Sequence, residues 1–146
     1  MQQGYDGRPR LLRVMAGGRR LRCVTSAAGT TPDVTPLVVR TVAVEDPGSL
    51  LALLPKHGTL AWVHRGDGIV AWGEAAVLRT SGPDRFARAR AWWSDQTRQA
   101  VVRDEVEEPG TGLVCFGSFG FSDDPGESVL VVPEVVVGLA TSTPST

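Results

Sequence analysis

Turn-forming residues punctuate the whole chain: 17 glycines and 10 prolines fall among 146 residues. Such residues interrupt helices and strand interiors. The chain is therefore cut into short segments, and short strands joined by many turns are expected. The length suits one domain. Hydrophobic residues at 42% against 21% charged residues describe a globular chain. A formal charge of −1 offers no basis for nucleic-acid binding. No apolar run approaches the roughly 18 residues of a membrane span. The expected setting is the cytoplasm, with neither nucleic acid nor membrane as partner. Cys23 and Cys115 are 92 positions apart and make no CxxC pair, which argues against a zinc site or a disulfide framework.

Charge is uneven along the chain. Residues 1–36 hold Arg8, Arg10, Arg13, Arg19, Arg20 and Arg22 against Asp6 and Asp33, a net of +4, which leaves −5 for residues 37–146. A secretory leader needs an apolar core of about 7–15 residues. Here Leu11, Leu12, Val14 and Met15 run straight into Gly17-Gly18-Arg19-Arg20. Residues 1–36 are therefore expected to be a disordered basic arm. Residues 139–146 end in Thr141-Ser142-Thr143-Pro144-Ser145-Thr146 and are expected to be a disordered tail. The ordered body is placed at 37–138.

Within that body, the β-branched run 37–44 reads as a strand. Asp46-Pro47-Gly48-Ser49 opens a short helix over 50–54, ended by Pro55. Apolar runs 60–64 and 69–72 flank Arg65-Gly66-Asp67-Gly68, a hairpin signal. The second strand is expected to continue to Thr80, with a bulge at Gly73. Pro83 and Asp84 suit the start of a helix. Phe86, Ala89, Trp93, Ala100 and Val101 then share one stripe, which predicts a helix to about Asp104. Residues 113–121 read as a buried strand or strand pair. Residues 128–137 read as a last strand, with Pro133 at an edge or bend. The fold class expected is α+β, a mostly antiparallel sheet with one long and one short helix.

The residues themselves offer no acid–base or nucleophile pair. Arg65-Gly66-Asp67 spells an adhesion tripeptide but reads as a hairpin turn. The glycines 66, 68 and 73 do not make GxGxxG, and no helix follows them. His57 and His64 read as surface histidines. Asp123, Asp124 and Glu127 read as a solvated turn. Cys115 lies among apolar residues, where a cysteine behaves as a small hydrophobe. Trp62 and Trp72 are expected to pair across the hairpin, Trp93 to face the helix's apolar stripe, and Trp92 to point elsewhere.

Three separated runs resemble one family. They are Trp72-Gly73-Glu74-Ala75, Phe116-Gly117-Ser118-Phe119-Gly120-Phe121 and Val132-Pro133-Glu134, in that order, within flanking matches over 37–138. They look like the amino-terminal part of actinobacterial isochorismate synthases, members of the chorismate-utilising enzyme family. The resemblance implies an isomerase that moves the hydroxyl of chorismate from C4 to C2 with Mg²⁺. It implies a lysine base, a glutamic acid that protonates the leaving hydroxyl, and further glutamates on the metal. In the family these groups lie in the carboxy-terminal two-thirds of a longer chain. Lys56, the only lysine, matches no such position, and Glu74 and Glu134 match as scaffold. No catalytic, cofactor or metal residue is therefore assigned. The expectation is a piece truncated before the catalytic region, inactive alone, binding no Mg²⁺ by itself, with chorismate as the family's partner. Self-association through exposed apolar surface is also expected. The alternatives are a non-catalytic binding module built on this fold, or a fragment of anthranilate or salicylate synthase.

Overall fold

A computed structural model describes residues 10–17, 36–65, 67–108, 110–122 and 126–140, the first and last strands by their backbones where side chains are left aside. In chain order the elements are β1 (Arg10–Gly17), β2 (Val38–Val44), a 3₁₀ turn (Leu51–Leu53), β3 (Thr59–His64), β4 (Asp67–Trp72) and β5 (Ala76–Thr80). Then come α1 (Arg85–Gln99), β6 (Val101–Asp104), β7 (Phe116–Ser118), β8 (Ser128–Val132) and β9 (Val135–Ala140). One sheet has the order β3-β4-β9-β1-β2-β6 and a second has β5-β8-β7. Every ladder is antiparallel except β2 with β6. The class is α+β.

One long ribbon belongs to both sheets. β4 pairs β9 with Trp72 opposite Val135, and β5 pairs β8 with Ala76 opposite Val132. Between these pairs, three residues (Gly73, Glu74, Ala75) oppose two (Pro133, Glu134). That one-residue excess is a β-bulge, which bends the ribbon and increases its twist. Ala75 N–H donates to the Val132 carbonyl at 2.8 Å and so restarts the ladder in the second sheet. Gly73 has φ +75°, and a Cβ there would lie 2.7 Å from Glu134 Oε2 and 2.8 Å from Glu134 Cβ. Only glycine meets both demands. On the partner strand, Pro133 lacks an N–H and breaks the ladder at the same place. The bulge expected at Gly73 is present. The single strands expected over 69–80 and 128–137 are each divided there between two sheets.

The larger sheet buries both faces. Val39, Ala71 and Val136 lie on one face, against Leu113, Val114 and Phe116. Val70 and Val137 lie on the other, under Leu50, Leu53 and Leu54. The expected short helix is thus one 3₁₀ turn, and it serves as a lid on that second face.

Thr41 is fully buried in β2 and fixes the return of the chain from α1. Its carbonyl accepts from Glu105 N–H at 3.1 Å, and its hydroxyl accepts from Gly112 N–H at 3.2 Å. Asp104 then organises the loop. It accepts from Val106 N–H at 3.0 Å, from Glu107 N–H at 3.1 Å and from the Thr111 hydroxyl. Desolvation tends to raise the carboxyl's pKa, but these three donors together hold it below its ordinary 3.8.

Several expectations are corrected. Residues 10–17 form a strand between β2 and β9, not part of a disordered arm. Their run is short and Arg-interrupted, and the strands that recruit it lie far along the chain. The remaining residues of 1–35 and residues 141–146 lie outside the described residues. The helix stops at Gln99, because Ala100 is extended and Val101 N–H donates to the Leu37 carbonyl at 2.8 Å. The β-branched pair Val101-Val102 enters the sheet instead. Of residues 113–121, only Phe116–Ser118 is strand. His64 pairs with Asp67, so the hairpin turn begins at Arg65, whose φ is 54°. The register sets Trp62 opposite Ile69 and Trp72 opposite Thr59. The two tryptophans therefore lie on opposite faces and do not pair.

Two substitutions test this arrangement. Gly73→Ala should cost about 1–3 kcal/mol by urea unfolding; a change below about 0.5 kcal/mol would contradict the bulge geometry. Asp104→Ala should cost about 1–2 kcal/mol at pH 7 by orphaning its three donors. Because the folded carboxyl has the lower pKa, this stabilisation is present above about pH 3.8. It is lost as pH falls through the folded value, so the wild-type and variant midpoints should converge in acid.

Candidate functional site

The second sheet and α1 flank an open groove of about 460 Å³. Phe86, Ala89, Arg90 and Trp93 line it from the helix; Cys115, Gly117, Phe119 and Leu130 line it from the sheet side. The apolar helix residues recur at i, i+3 and i+7, which places them on one face. That part of the expected apolar stripe is correct, and Trp93 lies on it. Trp92 is half-buried beside it. Phe86 and Phe119 stack with centroids 4.9 Å apart at 30°, an offset arrangement favoured by ring quadrupoles.

Gly117 explains the position of Phe119. A Cβ at 117 would meet Phe119 Cε2 at 3.2 Å and Leu130 Cγ at 3.8 Å. The phenyl ring thus lies back over β7 where the strand has no side chain. Phe121, by contrast, is fully exposed.

Arg85 ties the start of α1 to the loop after β7. Only 8% exposed, its guanidinium donates to the carbonyls of Gly120 at 3.1 Å, Gly82 at 3.2 Å and Ser122 at 3.5 Å. Its Cζ lies 4.4 Å from the Phe86 centroid, within cation–π range. A planar fork of donors suits three carbonyls from two loops. Gly120 N–H in turn donates to Ser128 Oγ at 3.1 Å, and Ser128 is fully buried. Arg85 was not identified from sequence, where it counts as one of the helix's polar positions. No spacing marks an arginine that will be buried by carbonyls from a loop 35 residues away.

The groove holds no acid–base pair. Cys115 is its one nucleophile, and burial pushes the thiol up from 9.0 to about 11, with the Val131 backbone hydrogen bond offsetting part of that rise. Its Sγ also lies 3.6 Å from the Phe116 carbonyl. The thiol stays protonated at neutral pH and is no activated nucleophile.

The other candidate residues are dispersed. Lys56 and His57 are exposed in the loop before β3, and His64 is exposed at its end. Glu74 and Glu134 are exposed at the bulge. Asp67 is half-buried within β4. Glu127 pairs with Arg79 at 2.8 Å, while Asp123 and Asp124 lie outside the described residues. Among the described residues no three His, Cys, Asp or Glu side chains gather as metal ligands. This donor set does not fit Mg²⁺. No helix among the described residues is long and apolar enough to cross a membrane.

The three runs that carry the family resemblance converge in space. Gly73 touches Glu134, Ala75 bonds to Val132, and Phe116 lies opposite Val131 on β8. A family model described as chorismate binding enzyme matches residues 37–137, which is more than half of the chain. The chain belongs to the chorismate binding enzyme family. No curated protein and no solved structure matches it.

Cys115 should be slow toward a thiol reagent. At pH 8 a thiol of pKa about 11 holds roughly 100-fold less thiolate than one of 9.0. Peptide-resolved mass spectrometry should show its labelling rate rising up to about pH 11. Rapid labelling that levels off below pH 9 would contradict the burial described.

Proposed function

We propose that this chain is an isochorismate synthase-like member of the family and supplies its amino-terminal scaffold. The reaction concerned is the Mg²⁺-dependent isomerisation of chorismate, feeding menaquinone or siderophore synthesis in the cytoplasm. The supporting observation is that two of the resembling runs meet at one bulge and the third pairs with β8 beside it, next to a groove that lacks a general acid and base. Glu74 and Glu134 belong to that scaffold, since both sit exposed at the ribbon's bend. Residues outside this region carry the base, the acid and the metal carboxylates in this reading. An acid–base reaction needs its two groups within hydrogen-bond reach of the substrate atoms. The lone lysine and the two histidines are spread around the loops of β3 instead.

A second reading is favoured by the groove itself. An apolar, partly aromatic cleft without an activated nucleophile is what a non-catalytic binding module presents. The anthranilate and salicylate synthase readings share the scaffold and differ in residues this region does not carry.

The 146-residue chain with chorismate and Mg²⁺ should form no isochorismate above a protein-free blank, as followed by chromatography. Turnover that survives repurification, and is absent from a parallel mock preparation made without this chain, would overturn the proposal. A cooperative thermal transition with a monodisperse species would favour the binding-module reading over a fragment, which should melt broadly and bind apolar dye.

A further inference from the structure

Sheet edges invite pairing, and proteins blunt them with charge, proline, short length or a covering element. Three of the four edges described here are blunted. β6 carries Arg103 and Asp104, and Glu105 beside it joins Arg40 and Arg103 in an ion-pair cluster. β7 has three residues. β5 carries Arg79 and packs against α1. The fourth edge, β3, reads Thr59-Leu60-Ala61-Trp62-Val63-His64, with no proline, acid, lysine or arginine. Thr59, Ala61, Trp62 and His64 are exposed, Trp62 at 74%.

We propose that β3 is a self-association edge, at which a second copy of this chain adds its own β3 antiparallel across a two-fold axis. The occupant is a second copy because the strand is self-complementary. Leu60 and Trp62 share one face, the face on which β4 presents Ala71 and Ile69 opposite them. A two-fold perpendicular to the sheet keeps like faces together, so only residues on the same face can sit opposite one another. Centred on Ala61, it sets each Trp62 opposite Leu60 of the second copy, each Thr59 opposite Val63, and Ala61 opposite itself. Centring on Trp62 would set His64 against Leu60, a poorer match. The uncharged strand brings no like charges together. Each indole gains an aliphatic neighbour on a surface now facing water, and the backbone groups of both edges gain partners. About five residues a side is far below the roughly 20–30 of a standard interface, so the association is weak and concentration-dependent.

Sedimentation equilibrium on the full chain, from about 5 to 500 μM, tests this. The weight-average mass should rise from 15.5 kDa toward twice that value. Trp62→Lys should shift the midpoint at least about tenfold to higher concentration, with the far-UV circular dichroism unchanged. Cross-linking decides the register, and decides the case should Trp62→Lys fail to fold. Directly opposite residues in an antiparallel pair have Cα atoms about 4.5–5.5 Å apart, within disulfide reach. Ala61→Cys should form a 61–61 disulfide under mild oxidation, identified by peptide mass to separate it from Cys23 and Cys115. Thr59→Cys, set opposite Val63, should not link to itself. A monomer throughout the concentration range, or association with no 61–61 disulfide, would overturn the proposal.

Discussion

The bend at Gly73, opposite Pro133 and Glu134, is the constraint on which the rest of this fold depends. One ribbon of two antiparallel strands must serve two sheets. It does so by placing three residues against two and by using the left-handed backbone of Gly73. Each strand keeps its hydrogen-bonding partner through the bend, so neither sheet forms independently of the other. The larger sheet can then bury both faces, while the smaller one turns a face toward α1. Without the offset the ribbon would run straight, and the side chains beyond it would emerge on the wrong faces.

From that bend follows the place of the groove. β8 presents Leu130 toward it, and β7 lies alongside with Gly117 leaving room for Phe119. Arg85 closes the system by tying the first turn of α1 to the loop after β7. A buried guanidinium satisfied by carbonyls is a positioning device that fixes two loops at once.

What was legible in the sequence was local. The apolar runs of β3 and β4, the Pro-Asp start of α1 and the bend at Pro133 were all readable, because each depends on residues close together in the chain. The bulge at Gly73 was readable as a glycine inside a strand pattern. What could not be read was set by distant partners. Ala100 and Val101 extend the helical stripe of α1, yet Val101 N–H donates to the carbonyl of Leu37 and joins a parallel ladder with β2. Residues 10–17 look like part of a basic arm until β2 and β9 offer them edges. The hairpin turn begins at Arg65, and Asp67 and Gly68 of the expected four-residue turn belong to β4, a register that sets Trp62 and Trp72 on opposite faces. Of the candidate site, the aromatic stripe was visible from its spacing. Arg85 was not, since its partners are backbone carbonyls, which leave no mark in a sequence.

The central claim is that the ribbon changes register by one residue at Gly73. Cross-strand NMR contacts between backbone protons test it most directly. The account predicts that Trp72 lies opposite Val135 and Ala76 opposite Val132 in the same folded molecule. An unbroken register, with Ala76 opposite Val131, would contradict it and remove the bend on which both sheets rely.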